Sequence, residues 1–253
     1  MKAIRKRLFA SVSQKKFNHR GKEIFRIEGL SDAVFAFSIS LLVASLEVPQ
    51  TFSELRSIAA GAIPFFATVA IIFLFWYQQY VFFRRYGLND FKTILVNLLY
   101  LAVILFYVYP LKFLFSLLIS SWSGLDLFSK ASEKGLTIVS SQEFPELIIL
   151  FSIGYLVIWL LIYLMHKHVL HLQNFFHFST YELLLTKMEA RGALWNAFIG
   201  ASSLLLAWMH FELFAGICYL MIPVAMAMNY YLFKIEYKKR INLIVRKHQL
   251  VAS

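Results

Sequence analysis

Six long apolar stretches, at residues 30–48, 58–83, 93–119, 144–165, 193–209 and 211–233, occupy most of this 253-residue chain. A helix rises about 1.5 Å per residue, so ~20 apolar residues cross the ~30 Å hydrocarbon core of a bilayer. Most of the stretches meet that length, and the fifth lies near the lower limit. The runs are continuous rather than alternating and too long for barrel strands, so the spanning elements are expected to be helices. The chain is 60% hydrophobic and 15% charged with mean hydropathy +0.66, well beyond what a soluble core of this size requires. The expected fold class is an all-α polytopic membrane protein with six transmembrane helices.

The charges between the stretches set an orientation. Residues 1–26 hold nine basic groups and the single acid Glu23. The loop with Arg84, Arg85, Asp90 and Lys92 is net positive, as is the segment from Lys167 to Arg191. The tail from Lys234 carries six basic residues against Glu236. The intervening connections carry Glu47, Glu54, Asp126, Glu133, Glu143 and Glu212 with fewer cations. Positive charge therefore stays on one side through six crossings, which predicts cytoplasmic termini. The expected organisation is a basic N-terminal segment at 1–25, a six-span domain at 26–233 and a basic tail at 234–253. Ile4, Leu8 and Val12 recur at helical spacing beside Arg5, Lys6 and Arg7, which suits either a basic helix on an anionic leaflet or a solvated tail. The basic residues flank spans rather than forming a domain of their own, so no nucleic-acid partner is expected. Trp76, Trp122, Trp159, Trp195 and Trp208 gather near span ends, as interfacial belts or as packing.

The first span opens on polar residues: Arg26, Glu28, Ser31 and Asp32 lead directly into apolar sequence. Ionisable groups at a span entrance are costly unless paired or hydrated, which makes them functional candidates. Ser31 or Asp32 can alternatively cap a helix that starts there. On a continuous helix Glu28 and Asp32 share a face and repel, while Arg26 points about 600° away and is expected to reach a neighbouring helix. Ala33, Ala36, Ser38, Ser40, Ala44 and Ser45 make this span rich in small residues, which allow close helix approach in lipid. Phe37, Ser40, Leu41 and Ala44 fall on one stripe. That stripe is either a packing face or, with several copies around an axis, a narrow apolar tube with a hydroxyl ring.

Arg26-x-x-x-Leu30-Ser31-Asp32 resembles the Arg-x-x-x-Phe-Ser-Asp signature of the transmembrane protein 175 family of potassium channels. Trp76-Tyr-Gln-Gln79 resembles its Trp-x-x-His, and Asn97-Leu-Leu with the later Pro110 resembles its third span. The resemblance covers roughly residues 26–110. It implies a single-repeat, prokaryotic type of channel in the cell membrane, assembled as a homotetramer with the first helix lining the pore. It implies potassium and other monovalent cations as what passes, weak selectivity, and no cofactor or bound metal. The family's constriction corresponds to Phe37, its selectivity-influencing hydroxyl to Ser40, and a further apolar ring to a position near Ala44. Its interhelical network corresponds to Arg26, Ser31, Asp32, Trp76, Gln79 and Asn97. Leu30, Phe37, Ala44 and Gln79 depart from the usual residues; Gln79 hydrogen-bonds as His does but does not titrate.

Two other chemistries compete. His166, His168, His171 and His177 cluster after the fourth stretch, where a metal-dependent membrane enzyme would place ligands. A secondary transporter would need a broken span with a site near the midplane, and no span is clearly interrupted there by paired Gly or Pro. No glycine-rich phosphate loop is present. The lone cysteine, Cys218, excludes an intrachain disulfide. Ser179-x-x-Glu182 reads as a capping box for a short helix ending before Gly192. Lys112, inside the third stretch, is expected to snorkel or to pair with an acid such as Asp126.

Overall fold

The computed structural model describes residues 17–44, 49–123, 128, 138–140 and 143–251, with the side chains of 53, 57, 60 and 247–251 excepted. The amphipathic stretch at 4–12, Glu47, Asp126, Glu133 and most of the long connection lie outside the described residues.

The described residues form helices and no strands. In chain order they are α1 (Arg26–Ala44), α2 (Phe52–Ala60), α3 (Ala62–Tyr86), α4 (Phe91–Ser123), α5 (Phe144–His171), α6 (Gln173–Phe176), α7 (Thr180–Trp208), α8 (Glu212–Cys218), a 3-10 turn (Tyr219–Met221) and α9 (Ile222–Val251). Among the described residues, five segments are long and apolar enough to cross a membrane: α1, α3, α4, α5 and the run Glu212–Arg246. α7 falls short because Lys187, Glu189 and Arg191 occupy its first half. Its apolar second half covers the expected fifth span and contributes Asn196, Gly200 and Ser203 to the contact with α5, the most extensive helix contact among the described residues. Together these give the six-crossing order expected of the sequence.

Small residues explain how closely α5 approaches α7 and α4. A Cβ on Gly200 would lie 3.0 Å from the Tyr155 ring, and one on Gly154 would overlap the Tyr107 ring of α4. Backbones that close bring dispersion contacts that lipid cannot replace. Ser152, Ser203 and Tyr219 then satisfy one another, at 3.0 Å between the serines and 2.9 Å from Tyr219 to Ser152, and Ser203 also reaches the Ala215 carbonyl at 2.9 Å.

Three local expectations change. The capping box at Ser179 and Glu182 is present, with both reciprocal bonds, but its helix continues through Gly192 to Trp208. Gly192 is a packing residue: its Cβ would stand 2.9 Å from the Asn229 amide of α9. The last stretch is interrupted by the 3-10 turn at Tyr219–Met221, just before Pro223. Finally, α9 runs on past Lys234, so the last span and the basic tail share one helix. Phe233, Tyr237, Ile241 and Val245 of α9 pack on Leu184 and Leu185 of α7.

The aromatic residues divide. Trp122 and Trp208, at helix ends, are largely exposed, as a belt requires. Trp159 and Trp195 carry buried indole nitrogens and belong to packing.

Candidate ion pathway

α1 has two unlike faces. Ile27, Ser31, Phe35, Ser38 and Leu42 are buried against α3 and α4. Phe37, Ser40 and Ala44 are exposed on the other face, Phe37 to 56%, and Leu41 sits half-buried at its edge. Phe35 and Leu42 join Phe75, Tyr100, Ile104 and Leu111 in one packed cluster, which fixes the rotation of α1. The Ser40 hydroxyl donates to the Ala36 carbonyl at 3.0 Å. A hydroxyl that donates in this way keeps its oxygen lone pairs available to accept from another group.

The buried face is pinned by polar bonds across three helices. Gln79 of α3 donates to Asn97 of α4 at 2.7 Å, and Asn97 donates to the Ser31 hydroxyl at 3.0 Å. Ser31 donates onward to the Ile27 carbonyl at 2.7 Å. Ser31 and Asn97 are fully buried and Gln79 is nearly so. In lipid such groups have no water to fall back on, so each link is held by the cost of leaving it unmade. Beside this chain, Trp76 donates its indole N–H to Asp32 at 2.7 Å and stacks on Tyr80. Five of the six network residues are thus brought together; Arg26 is exposed on the single chain and takes no part in these bonds. Because α1 begins at Arg26, Ser31 and Asp32 lie in its second turn and are not caps. Glu28 supplies that service instead, accepting from the Phe25 N–H at 3.0 Å. Glu28 and Asp32 do share a face: both line a cavity of about 280 Å³ with Gln79, Tyr80 and Arg84 at the base of α1.

The segment before α1 is anchored by residues that the motif reading did not single out. Arg20 pairs with Glu182 at 3.1 Å, donates to the Phe176 carbonyl at 3.1 Å and lies over the Phe176 and Phe178 rings. The Asn18 N–H also donates to Glu182, whose side chain is almost wholly buried. Gly21 approaches the end of α3 so closely that a Cβ would overlap the Phe83 carbonyl, and Arg84 donates to its carbonyl at 2.7 Å. Gly87 closes α3 in the left-handed region at φ 59°, which favours glycine. The only sequence signal for this clamp was the capping box; its partner lies 162 residues away.

The histidines disperse. His166 is buried against Phe82 and Tyr86 with Nδ1 on the Ile162 carbonyl, whereas His168 meets Asp90 at 2.8 Å. Among the described residues no three His, Cys, Asp or Glu side chains converge as a metal site. In the α3–α4 connection, burial acts to raise the Asp90 carboxyl pKa, but the Thr93 hydroxyl and neighbouring His168 outweigh it and hold it below its ordinary value.

Comparison with known proteins gives a consistent pattern. The sequence profile of the family described as "Endosomal/lysosomal potassium channel TMEM175" matches residues 26–107. A protein of Marivirga tractuosa described as a potassium channel is 39% identical over 171 residues, 68% of this chain and 69% of that protein. A crystal structure of a variant of the potassium channel MtTMEM175, complexed with a nanobody–MBP fusion, superposes with TM-score 0.76 at 33% identity, covering 87% of this chain and 97% of that one. The crystal structure of a lysosomal potassium-selective channel TMEM175 homolog from Chamaesiphon minutus shares the fold, with TM-score 0.52 at 19% identity over 81% of this chain and 96% of that one.

Proposed function

This chain belongs to the TMEM175 family of potassium channels, and from that premise we propose that copies of it, four in number, surround a common axis with α1 lining the ion path between them. It is an integral membrane protein and not an enzyme. We place it in a prokaryotic cell membrane with both termini cytoplasmic.

The observation that carries this reading is the asymmetry of α1. One face is locked by Ser31, Asn97 and Gln79, and the other leaves Phe37, Ser40 and Ala44 exposed. A ring of Phe37 side chains forms an apolar constriction that opens by side-chain displacement or by wetting. The next turn offers Ser40 oxygens to a partly dehydrated cation, which discriminates weakly. Ala44 leaves the tube wider beyond. Ions move down their gradient, with no coupled step.

Thiol accessibility tests the lining. In a Cys218→Ala background, Ser40→Cys should be modified by a water-soluble thiol reagent and lose potassium flux. Ser38→Cys, on the buried face, should resist the reagent. Equal reactivity at the two positions would place α1 elsewhere.

A further inference from the structure

At the end of the molecule opposite the Arg20–Glu182 clamp, a cavity of about 710 Å³ opens between α3, α4, α5, α8 and the 3-10 turn. Phe75, Tyr107, Leu111 and Tyr155 form its buried floor. Leu74, Leu118, Leu213 and Leu220 are exposed around it. Its hydroxyls are already spent: Tyr107 donates to the Phe151 carbonyl, Tyr155 to Asn196 and Tyr219 to Ser152. The rest of the lining is mostly hydrocarbon, with Gln78, Glu212 and the unpartnered Trp159 indole N–H as its polar groups, in a region flanked by membrane-spanning helices. These polar groups are too few to hold water throughout a space of this size.

Two features suit a particular occupant. Gly216 lies on the wall within α8, and a Cβ there would meet nothing within 4 Å, so the missing side chain itself adds to the space. Glu212, one turn earlier, sets a carboxylate beside the lining leucines, with His210 at 4.0 Å. An acyl chain fills the apolar interior, and the carboxylate complements an ammonium headgroup. We propose that this cavity binds one acyl chain of an ethanolamine-type phospholipid from the leaflet facing away from the termini. The floor residues Phe75, Tyr107 and Leu111 belong to the cluster that holds Phe35 and Leu42 of α1, so the lipid supports the wall on which α1 rests. The site stands whether or not ions pass along α1.

The test uses the purified, delipidated full chain titrated with phosphatidylethanolamine or phosphatidylglycerol, with bound lipid counted by native mass spectrometry. Wild type should retain roughly one ethanolamine lipid per protomer, within the capacity of a pocket of this size. Gly216→Leu and Leu118→Phe, which fill the cavity from different helices, should each lose it while keeping the wild-type oligomer. Glu212→Gln should still bind lipid but lose the preference for ethanolamine over glycerol headgroups. No retained lipid on wild type, or equal retention in whichever filling variant folds, would overturn the site. Retention without headgroup preference would overturn the ethanolamine assignment.

Discussion

Asn97 of α4 donates to Ser31 of α1 at 3.0 Å while accepting from Gln79 of α3, so one fully buried amide ties three membrane helices together. Asn97→Ala leaves the Gln79 amide buried without its acceptor, at a cost of about 1–3 kcal/mol, and removes the donor to Ser31, whose hydroxyl keeps its bond to the Ile27 carbonyl. Melting of the purified assembly should fall by more than for Leu95→Ala on the exposed side of the same helix. Equal losses would mean the network does not hold α1.

The Arg20–Glu182 pair should act as the anchor of the segment leading into α1. Arg20→Ala strands a carboxylate that is 1% exposed, although the Asn18 and Ser179 N–H groups still reach it. A loss of about 1–3 kcal/mol is expected. Thermal melting checks this, with Arg56→Ala on the exposed face of α2 as the comparison.

Asp90 predicts an acid limb in the stability profile. Its carboxyl is held below its ordinary pKa in the folded protein by Thr93 and His168, against the opposing effect of burial. The unfolded chain therefore binds that proton more readily. The contribution is complete above the unfolded value, about 3.9, and is lost as pH falls through the lowered folded value. In Asp90→Asn this part of the acid limb should vanish from melting measured across that range, with the curve at neutral pH lowered.

Gly154 should not tolerate a methyl group. Its Cβ would overlap the Tyr107 ring, which is fixed by the bond from its hydroxyl to Phe151. Overpacking of this kind costs about 1–3 kcal/mol. Gly154→Ala should lower the melting temperature, whereas Gly29→Ala, with open space around it, should not.

Much of this molecule was legible in the residues. Long apolar runs announce helices because lipid leaves backbone groups no other partner. Ser31 stood out at the polar entrance of the first run, Gln79 and Asn97 were singled out through the family resemblance, and the structure joins all three. Other features were hidden for physical reasons. α7 combines a charged half with an apolar half, so hydropathy registers only the latter, and Gly192 resembles a helix end although it serves a close contact with Asn229. The Arg20–Glu182 clamp joins residues far apart in the chain, and no local pattern encodes that pairing. The histidines lie close in sequence, yet helical rotation sends His166 inward and His168 to Asp90.

The central claim is that ions pass along the exposed stripe of α1, and potassium flux into liposomes containing the purified channel tests it most directly. Wild type should show downhill potassium flux, and Phe37→Ala should increase it by removing the bulky ring from the constriction. If both proteins are folded and oligomeric but neither conducts, the path does not run along α1.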